Sequence, residues 1–149
     1  MKMLNNEKGF TLIELVLIIV ILGILGAVAM VQFGTIMTDS KNSAIDGTFG
    51  QFNTQLALAV NNIKALPTSG GGVSPSFQAT VFNLVSLSGS GVVTSSFSGG
   101  ATDTFSICAG GNGTCTNANP PTCGGSGRGA QASYNGTTGA LTLAAKGTC

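Results

Sequence analysis

The feature that most constrains this chain is an apolar run of 24 residues, 10–33, that contains a single charge, Glu14. As a helix rising about 1.5 Å per residue, the run would measure roughly 36 Å, and the hydrocarbon core of a bilayer is about 30 Å thick. A secretory signal peptide has a shorter apolar core followed by a small-residue cleavage site, and this run fits neither property well. The sequence therefore predicts one membrane-spanning helix.

Two positive charges, Lys2 and Lys8, precede the apolar run. Because Lys and Arg are enriched on the cytoplasmic side of membrane helices, they predict a cytoplasmic N-terminus and place the residues after 33 outside the inner membrane. Glu14 is then unusual, since a carboxylate at the centre of a membrane helix costs about 2.5–3.5 kcal/mol, and less near an end. Either it reaches the membrane interface one turn inside the helix, or it has a functional partner.

The composition argues against several classes of function. The chain has no His, a net charge of +1, and 7% charged residues, where an ordinary soluble domain has about 25%. Nucleic-acid binding by bulk charge is therefore not expected. Catalysis needs a tunable proton carrier or a base beside its nucleophile, and Lys64 or Lys146 would supply one only by a coincidence of folding. We expect no catalytic residue, no cofactor and no metal, which makes a membrane-anchored enzyme the least favoured class.

The residues around Glu14 form the motif Gly-Phe-Thr-Leu-Ile-Glu at positions 9–14, with Lys8 before it and the apolar run after it. This segment resembles the prepilin motif of type IV pilins and type II secretion pseudopilins. The resemblance is close over residues 1–44 and architectural beyond them. It implies that a prepilin peptidase removes the leader, residues 1–9, by cutting between Gly9 and Phe10. The enzyme would also methylate the new amine of Phe10, which leaves a mature chain of residues 10–149.

The resemblance also implies a role for Glu14. In the family, this carboxylate pairs with the Phe10 amine of a neighbouring subunit and sets the register as subunits leave the bacterial inner membrane for an extracellular pilus. Such pairing is physically reasonable, because a helix N-terminus disfavours positive charge and because two charges in apolar surroundings are tolerated mainly as a pair. The implied partners are other copies of the chain in a helical homopolymer, the prepilin peptidase and methyltransferase, the pilus assembly machinery, and membrane lipid before assembly.

One position departs from the commonest pilin pattern. Many type IV pilins have Pro where this chain has Val31, although the aromatic residue that follows is kept as Phe33. Gly23 and Gly26 each weaken a helix by about 1 kcal/mol relative to Ala. They would either let the helix melt locally in a fibre or allow close helix packing by small residues.

Residues 34–66 predict an amphipathic second half of the same helix. Apolar residues recur at steps of three and four, the helical period. They are Ile45, Phe49, Phe52, Leu56, Val60 and Ile63. Pro67 and the Gly-rich segment after it end the helix near residue 63. The stripe lasts under three heptads, which favours packing on a sheet over a coiled coil.

The remainder, residues 67–149, predicts a small globular β domain rich in Gly, Ser and Thr. Strand-like segments occur at 92–97, 104–109, 131–134 and 140–144, with an ambiguous one at 81–87. Residues 135–139 carry a good hairpin signal between the last two segments. We therefore expect an α+β chain in which a long N-terminal helix packs on a small antiparallel sheet of three or four strands, the type IV pilin fold that the resemblance implies.

All four cysteines lie in the predicted exported domain, where disulfides persist: Cys108, Cys115, Cys123 and Cys149. Four cysteines allow three sets of pairings. We favour Cys108 with Cys115 and Cys123 with Cys149, because the second pair resembles the disulfide-bounded C-terminal loop of type IV pilins. A four-cysteine zinc site is disfavoured, since the spacing lacks the short Cys–Cys pairs that such sites use.

The leading functional hypothesis is a structural pilin that polymerises into a type IV pilus after leader cleavage, for surface functions such as adhesion or motility. A minor pilin and a pseudopilin of a type II secretion system are the alternatives. The major pseudopilins resemble calcium-binding proteins with acidic ligands in a C-terminal loop, whereas Asp103 is the only acid after Asp46. The Asn-x-Thr sequons at Asn112 and Asn135 are more simply explained as turn residues.

Overall fold

The computed structural model describes residues 9–70, 75–85, 93–97, 100–110, 115–118, 121–123 and 125–148. It divides into two compact units, Met1–Met37 and Thr38–Cys149. One helix, α1 (Leu12–Ile63), begins in the first unit and ends in the second. The second unit adds a short helix, a 3-10 turn and five strands. They are α2 (Phe77–Thr80), the turn Phe82–Leu84, β1 (Val93–Ser96), β2 (Thr102–Ala109), β3 (Arg128–Asn135), β4 (Leu141–Leu143) and β5 (Gly147–Thr148).

In the first unit, α1 leaves its apolar side chains exposed. All 18 large hydrophobic residues from Leu12 to Met37 are exposed, and Val16, the least accessible of them, is still 43% exposed. The helix is long and apolar enough to cross a membrane, with a mean hydropathy of 3.0 over its best window. An exposed apolar surface of this extent marks a site of contact with a membrane or another protein.

In the second unit, α1 buries one face against the sheet. Ile45 and Phe52 are fully buried, and Phe49 and Leu56 pack against the same core. The ring of Phe52 lies 4.6 Å from that of Phe105 on β2. The predicted stripe and its packing on a sheet are thus confirmed. At its C-terminal end the deepest position is Ala59, while Val60 and Ile63 are only half-buried.

Helix α1 is followed directly by Lys64, whose φ of 56° places it in the left-handed region. Its backbone N–H donates to the carbonyl of Val60 at 2.9 Å, which closes the last turn. Glycine is the usual residue in this conformation, because a Cβ is disfavoured there. The termination lies where the sequence predicts it, three residues before Pro67.

The sheet is antiparallel, in the order β1-β2-β3-β4, and β5 also pairs with β3. In the register of β2 with β3, Phe105 lies opposite Ala132 and Ile107 lies opposite Ala130. These four side chains are buried, so the small alanines of β3 leave room for the large side chains of β2. The α+β pilin fold predicted from the sequence is confirmed.

Three details differ from the predicted elements. Strands β2 and β3 are longer than predicted, and β5 was not predicted. The ambiguous segment 81–87 is not a strand over its described part, because Ser76 caps α2 by accepting a bond from the Ala79 N–H at 3.3 Å and the chain then turns at Phe82–Leu84. Residues 86 and 87 lie outside the described residues.

The predicted hairpin joins β3 to β4. The side-chain oxygen of Asn135 accepts bonds from the N–H groups of Thr137 and Thr138, at 2.9 and 3.0 Å, and Gly139 adopts a φ of 72°. Asn135 therefore serves the turn, which is the simpler explanation of that sequon. The sequon at Asn112 lies outside the described residues.

The face of the sheet opposite α1 is covered by the loop after Cys115. The side-chain amide of Asn117 donates to the carbonyl and the hydroxyl of Thr104, at 3.2 and 3.1 Å. Its oxygen accepts from the hydroxyl of Ser106 and from the amide of Gln131, both at 3.2 Å. Both donors and both acceptor positions of one asparagine are thus used, and the fully buried Ser106 is satisfied by it.

Candidate functional site

The N-terminus of α1 is organised by Thr11 and Glu14. The Glu14 carboxylate oxygen Oε2 accepts from the Thr11 N–H at 3.0 Å and from the Thr11 hydroxyl at 2.8 Å. In return, the Glu14 N–H donates to the Thr11 carbonyl at 3.1 Å and to its hydroxyl oxygen at 3.4 Å. This reciprocal arrangement is a capping box. Thr11 is not among the predicted functional residues, although the spacing Thr-x-x-Glu is the sequence signature of a capping box.

The capping box fixes where the Glu14 carboxylate lies. It holds the negative charge in the first turn of the helix, where the helix dipole stabilises it. Oxygen Oε2 is engaged, whereas Oε1 makes no hydrogen bond to any residue that the structure describes. A pre-positioned carboxylate with one open oxygen can accept a cation from outside the chain.

The two residues before the cap are accessible. Gly9 and Phe10 are both exposed and precede the helix, and Phe10 is 82% exposed. The peptide bond between them is therefore outside regular secondary structure. Phe10 precedes the first residue of α1 by two positions, and Glu14 lies in the first turn of that helix.

Helix α1 is continuous through the region in which local melting was considered, between Gly23 and Val31. Apart from the neighbouring residues and backbone of the helix itself, no described atom lies within 4 Å of where a Cβ would stand at Gly23 or Gly26. Side-chain packing within the described part of the chain therefore does not require a glycine at either position. Close approach of another helix, or melting in a fibre, remain as predictions.

In the second unit, polar contacts hold the start of the amphipathic half of α1 against the β domain. Lys146 forms an ion pair with Asp46 at 2.5 Å. The Arg128 guanidinium donates to the Asn42 side chain at 2.7 Å, and the Lys41 ammonium donates to a backbone carbonyl of the loop before β3. The helix is therefore held to the start of β3, to the loop before it and to the residue that precedes β5.

A buried acid lies at the start of β2. Both carboxylate oxygens of Asp103 accept from the N–H of Gly70, in the segment between α1 and α2, at 2.8 Å. Burial raises the pKa of Asp103, and the Gly70 bond opposes that shift. The neighbouring Tyr134 hydroxyl donates to the Pro67 carbonyl at 2.7 Å, and burial followed by the charge of Asp103 raises the pKa of Tyr134.

Comparison with known proteins agrees with the motif at the helix N-terminus. The family model described as the prokaryotic N-terminal methylation motif matches residues 4–30. The type IV narrow pilus major component PilA5 of Thermus thermophilus is 38% identical over 63 residues, which are 42% of this chain and 54% of the relative. The type IV major fimbrial protein FimA of Dichelobacter nodosus is 38% identical over 58 residues, 39% of this chain and 37% of the relative. Over these residues the chain is similar to type IV pilins.

A third pilin, the type IV major alpha-pilin of Moraxella bovis, is 35% identical over 57 residues, 38% of this chain and 36% of that pilin. The chain thus spans between a third and about half of the length of the pilins it matches. No solved structure matches it significantly. The three pilins named here are components of pili or fimbriae, and the pseudopilin alternative gains no support from them.

The structure describes three of the four cysteines of the chain. Cys108 and Cys115 are joined by a disulfide with their Cα atoms 6.1 Å apart, the first of the two pairs that we favour. Cys123 is also disulfide-bonded. Cys149 lies outside the described residues, so its pairing with Cys123 stays a prediction.

Proposed function

We propose that this chain is a structural subunit of a type IV pilus and is not an enzyme. The observation that carries the proposal is the exposed apolar surface of α1 from Leu12 to Met37, in a chain whose second unit has a hydrophobic core of its own. Burying a side chain of this size is favoured by about 1.5–3 kcal/mol over leaving it in water. The 18 exposed side chains together therefore strongly favour contact with lipid or with other protein. Membrane lipid covers them before assembly, and other copies of the same helix cover them in the fibre.

We further propose that the precursor is processed at the start of the helix. A prepilin peptidase cleaves between Gly9 and Phe10 and methylates the Phe10 amine. The exposed, non-helical position of this bond and the match to the methylation motif support the step. With Lys8 on the cytoplasmic side of the inner membrane, the second unit lies outside the cytoplasm and is carried into the extracellular fibre by the pilus assembly machinery.

The charge pairing between subunits follows from the capping box. Cleavage frees a cationic amine on Phe10, and the Glu14 carboxylate offers the open oxygen Oε1 while Thr11 holds Oε2. An amine and a carboxylate in an apolar fibre core are tolerated when they meet. Correct axial register between neighbouring subunits is the arrangement in which they do so.

The test separates the charge of Glu14 from its role in the cap. Glu14→Gln keeps a side chain that can complete the capping box but removes the negative charge. We expect this variant to insert into the membrane and to be cleaved, as intact mass of the membrane-extracted protein would show, and to form no fibres on electron micrographs. The control is Thr11→Ser, which keeps the cap and the charge and should form fibres. Normal fibres from Glu14→Gln would refute the pairing role.

A further inference from the structure

Two basic side chains of the second unit, Lys41 and Arg128, have neutral partners. The Lys41 ammonium donates to the Ser126 carbonyl at 2.5 Å. The Arg128 guanidinium donates to the Asn42 side chain at 2.7 Å and to the Lys146 carbonyl at 3.2 Å. These neutral acceptors hold the two side chains in place but cancel neither charge. Both side chains are half-exposed, so both charges are accessible from outside the protein.

The two cations lie at the same end of the sheet. Arg128 begins β3 and lies opposite Ala109, the last residue of β2. The Lys41 side chain passes the next residue of the chain, with its Cε 2.9 Å from where a Cβ would stand at Gly110. The Nη1 of Arg128 makes no hydrogen bond to any residue that the structure describes. A guanidinium with donors to spare beside an ammonium suits the oxygens of a phosphate group.

Two of the three acidic side chains of the unit are engaged elsewhere. All three lie within the described residues. Asp46 is paired with Lys146. Asp103 is buried and lies opposite Tyr134, which is six residues from Arg128 along β3, or about 20 Å. Neither acid neutralises the pair of cations.

The third acid, Asp39, points away from Lys41. Each residue turns an α-helix by about 100°, so side chains two residues apart point about 200° apart. Lys41 lies on the face of α1 that packs on the sheet, four residues before the fully buried Ile45, whereas Asp39 is exposed. The pair Lys41 and Arg128 is therefore a positive site that no acidic side chain of the unit satisfies.

Lys41 also lies close to the membrane segment along the chain. No charged residue lies between Glu14 and Asp39, and the uncharged stretch 15–38 measures roughly 36 Å as a helix. Centred on a bilayer with the usual tilt of about 20°, this stretch places Lys41 about 20 Å from the midplane. The headgroup layer extends from about 15 Å to about 22 Å from the midplane. Lys41 therefore lies at the level of the lipid phosphates.

We propose that Lys41 and Arg128 bind the phosphate groups of anionic phospholipids before the subunit enters a fibre. The lipids belong to the membrane leaflet on the side of the Thr38–Cys149 unit. The inference rests on the membrane stage of the proposed function. Anionic lipid is the occupant that the observations favour, because the chain carries the site to the headgroups and the unit supplies no acid to satisfy it.

The test measures acetylation of lysines in the full chain, reconstituted into phosphatidylcholine vesicles with or without phosphatidylglycerol. A membrane-impermeant N-hydroxysuccinimide ester of acetate labels accessible amines, and peptide mass spectrometry gives the ratio of labelling at Lys41 to labelling at Lys64 in the same unit. Lys64 is the internal control, because it is exposed and lies 23 residues, or roughly 35 Å, further along the chain.

We expect phosphatidylglycerol to lower this ratio about fivefold at about 0.01 M salt, the factor that one basic residue gains at an anionic surface. Raising the salt to about 1 M shortens the Debye length to about 3 Å and should restore the ratio. Arg128→Gln removes one of the two cations and should lose most of the protection of Lys41. The control Arg128→Lys keeps the charge and should keep the protection. The wild-type comparison stands as a test even if Arg128→Gln does not fold.

Four outcomes would overturn the inference. They are an equal labelling ratio in both kinds of vesicle, protection of Lys41 that persists at high salt, protection that survives Arg128→Gln, and equal protection by inorganic phosphate in phosphatidylcholine vesicles. The last result would assign the site to a dissolved anion. Because no fibre enters this assay, each of these results leaves the pilus proposal intact. A chain that shows the protection but forms no fibres in cells would lose the pilus proposal alone.

Discussion

Replacing Asn117 by Ala tests how the loop after Cys115 is held on the sheet. The substitution removes four hydrogen bonds of 3.1–3.2 Å, made to Thr104, Ser106 and Gln131. Thr104 and Gln131 are half-buried and can turn to water, but the hydroxyl of Ser106 is fully buried. A stranded buried hydroxyl costs about 1–3 kcal/mol, so we expect a total loss of about 2 kcal/mol.

The fluorescence of Tyr134 can follow the unfolding of the β domain. It is the only tyrosine of a chain without tryptophan, and its ring stacks on Phe77 with centroids 4.2 Å apart. Its fluorescence therefore reports on the core of the β domain during urea unfolding of the oxidised, detergent-solubilised chain. With a slope of about 2 kcal/mol per M, a loss of about 2 kcal/mol lowers the midpoint by about 1 M urea.

The control for this prediction is the same substitution at a site without contacts. Asn62 is exposed on α1 and makes no hydrogen bond to a described side chain, so Asn62→Ala should change the free energy of unfolding by less than about 0.5 kcal/mol. Equal midpoints for the Asn117 and Asn62 variants would contradict the prediction. The loop would then not be held by the asparagine.

Three further predictions use the same Tyr134 assay. The pKa of Asp103 is raised above its ordinary value of 3.8, so the stability that its protonated form contributes is complete at low pH and is lost as pH rises through the raised pKa. The free energy of unfolding of Asp103→Asn should therefore increase relative to that of the wild type between about pH 3 and about pH 7. A difference in unfolding free energy that does not change with pH would contradict this prediction. Lys64→Gly relieves a left-handed φ of 56° and should stabilise the domain by about 0.5–1 kcal/mol, whereas a lower midpoint would show that the backbone there is unstrained. Phe52→Ala removes a fully buried ring and should lower the free energy of unfolding by about 3–5 kcal/mol. The control Leu58→Ala, at a side chain that is 51% exposed on the same helix, should lower it by less than about 1 kcal/mol. Similar losses for the two variants would mean that the helix does not pack on the sheet.

The parts of the fold that the sequence predicts are those with a local signal. The period of the stripe from Ile45 to Leu56 fixes which face of α1 packs on the sheet, and the Asn-Gly turn after Tyr134 fixes the β3–β4 hairpin. The length and hydropathy of the apolar run predict the first half of the helix, whatever the helix later contacts. Each of these depends on residues that are close together in the chain.

What the sequence analysis misses depends on contacts between distant residues. Strand β5 exists because Gly147 pairs with Gly129, and neither residue favours a strand on its own. The bonds of Asn117 need the disulfide-closed loop to bring it over β2, which no local pattern encodes. The capping box is a different case, because Thr11 and Glu14 are close in the chain and carry its signature, so a local pattern does predict it.

The most direct test of the account is the N-terminus of the protein in fibres sheared from cells. Intact mass and sequencing of that material should give a chain that begins at N-methylated Phe10, with the amine available to Glu14 of a neighbouring copy. Fibre protein that still begins at Met1 would contradict the account, since no free amine would then exist at Phe10.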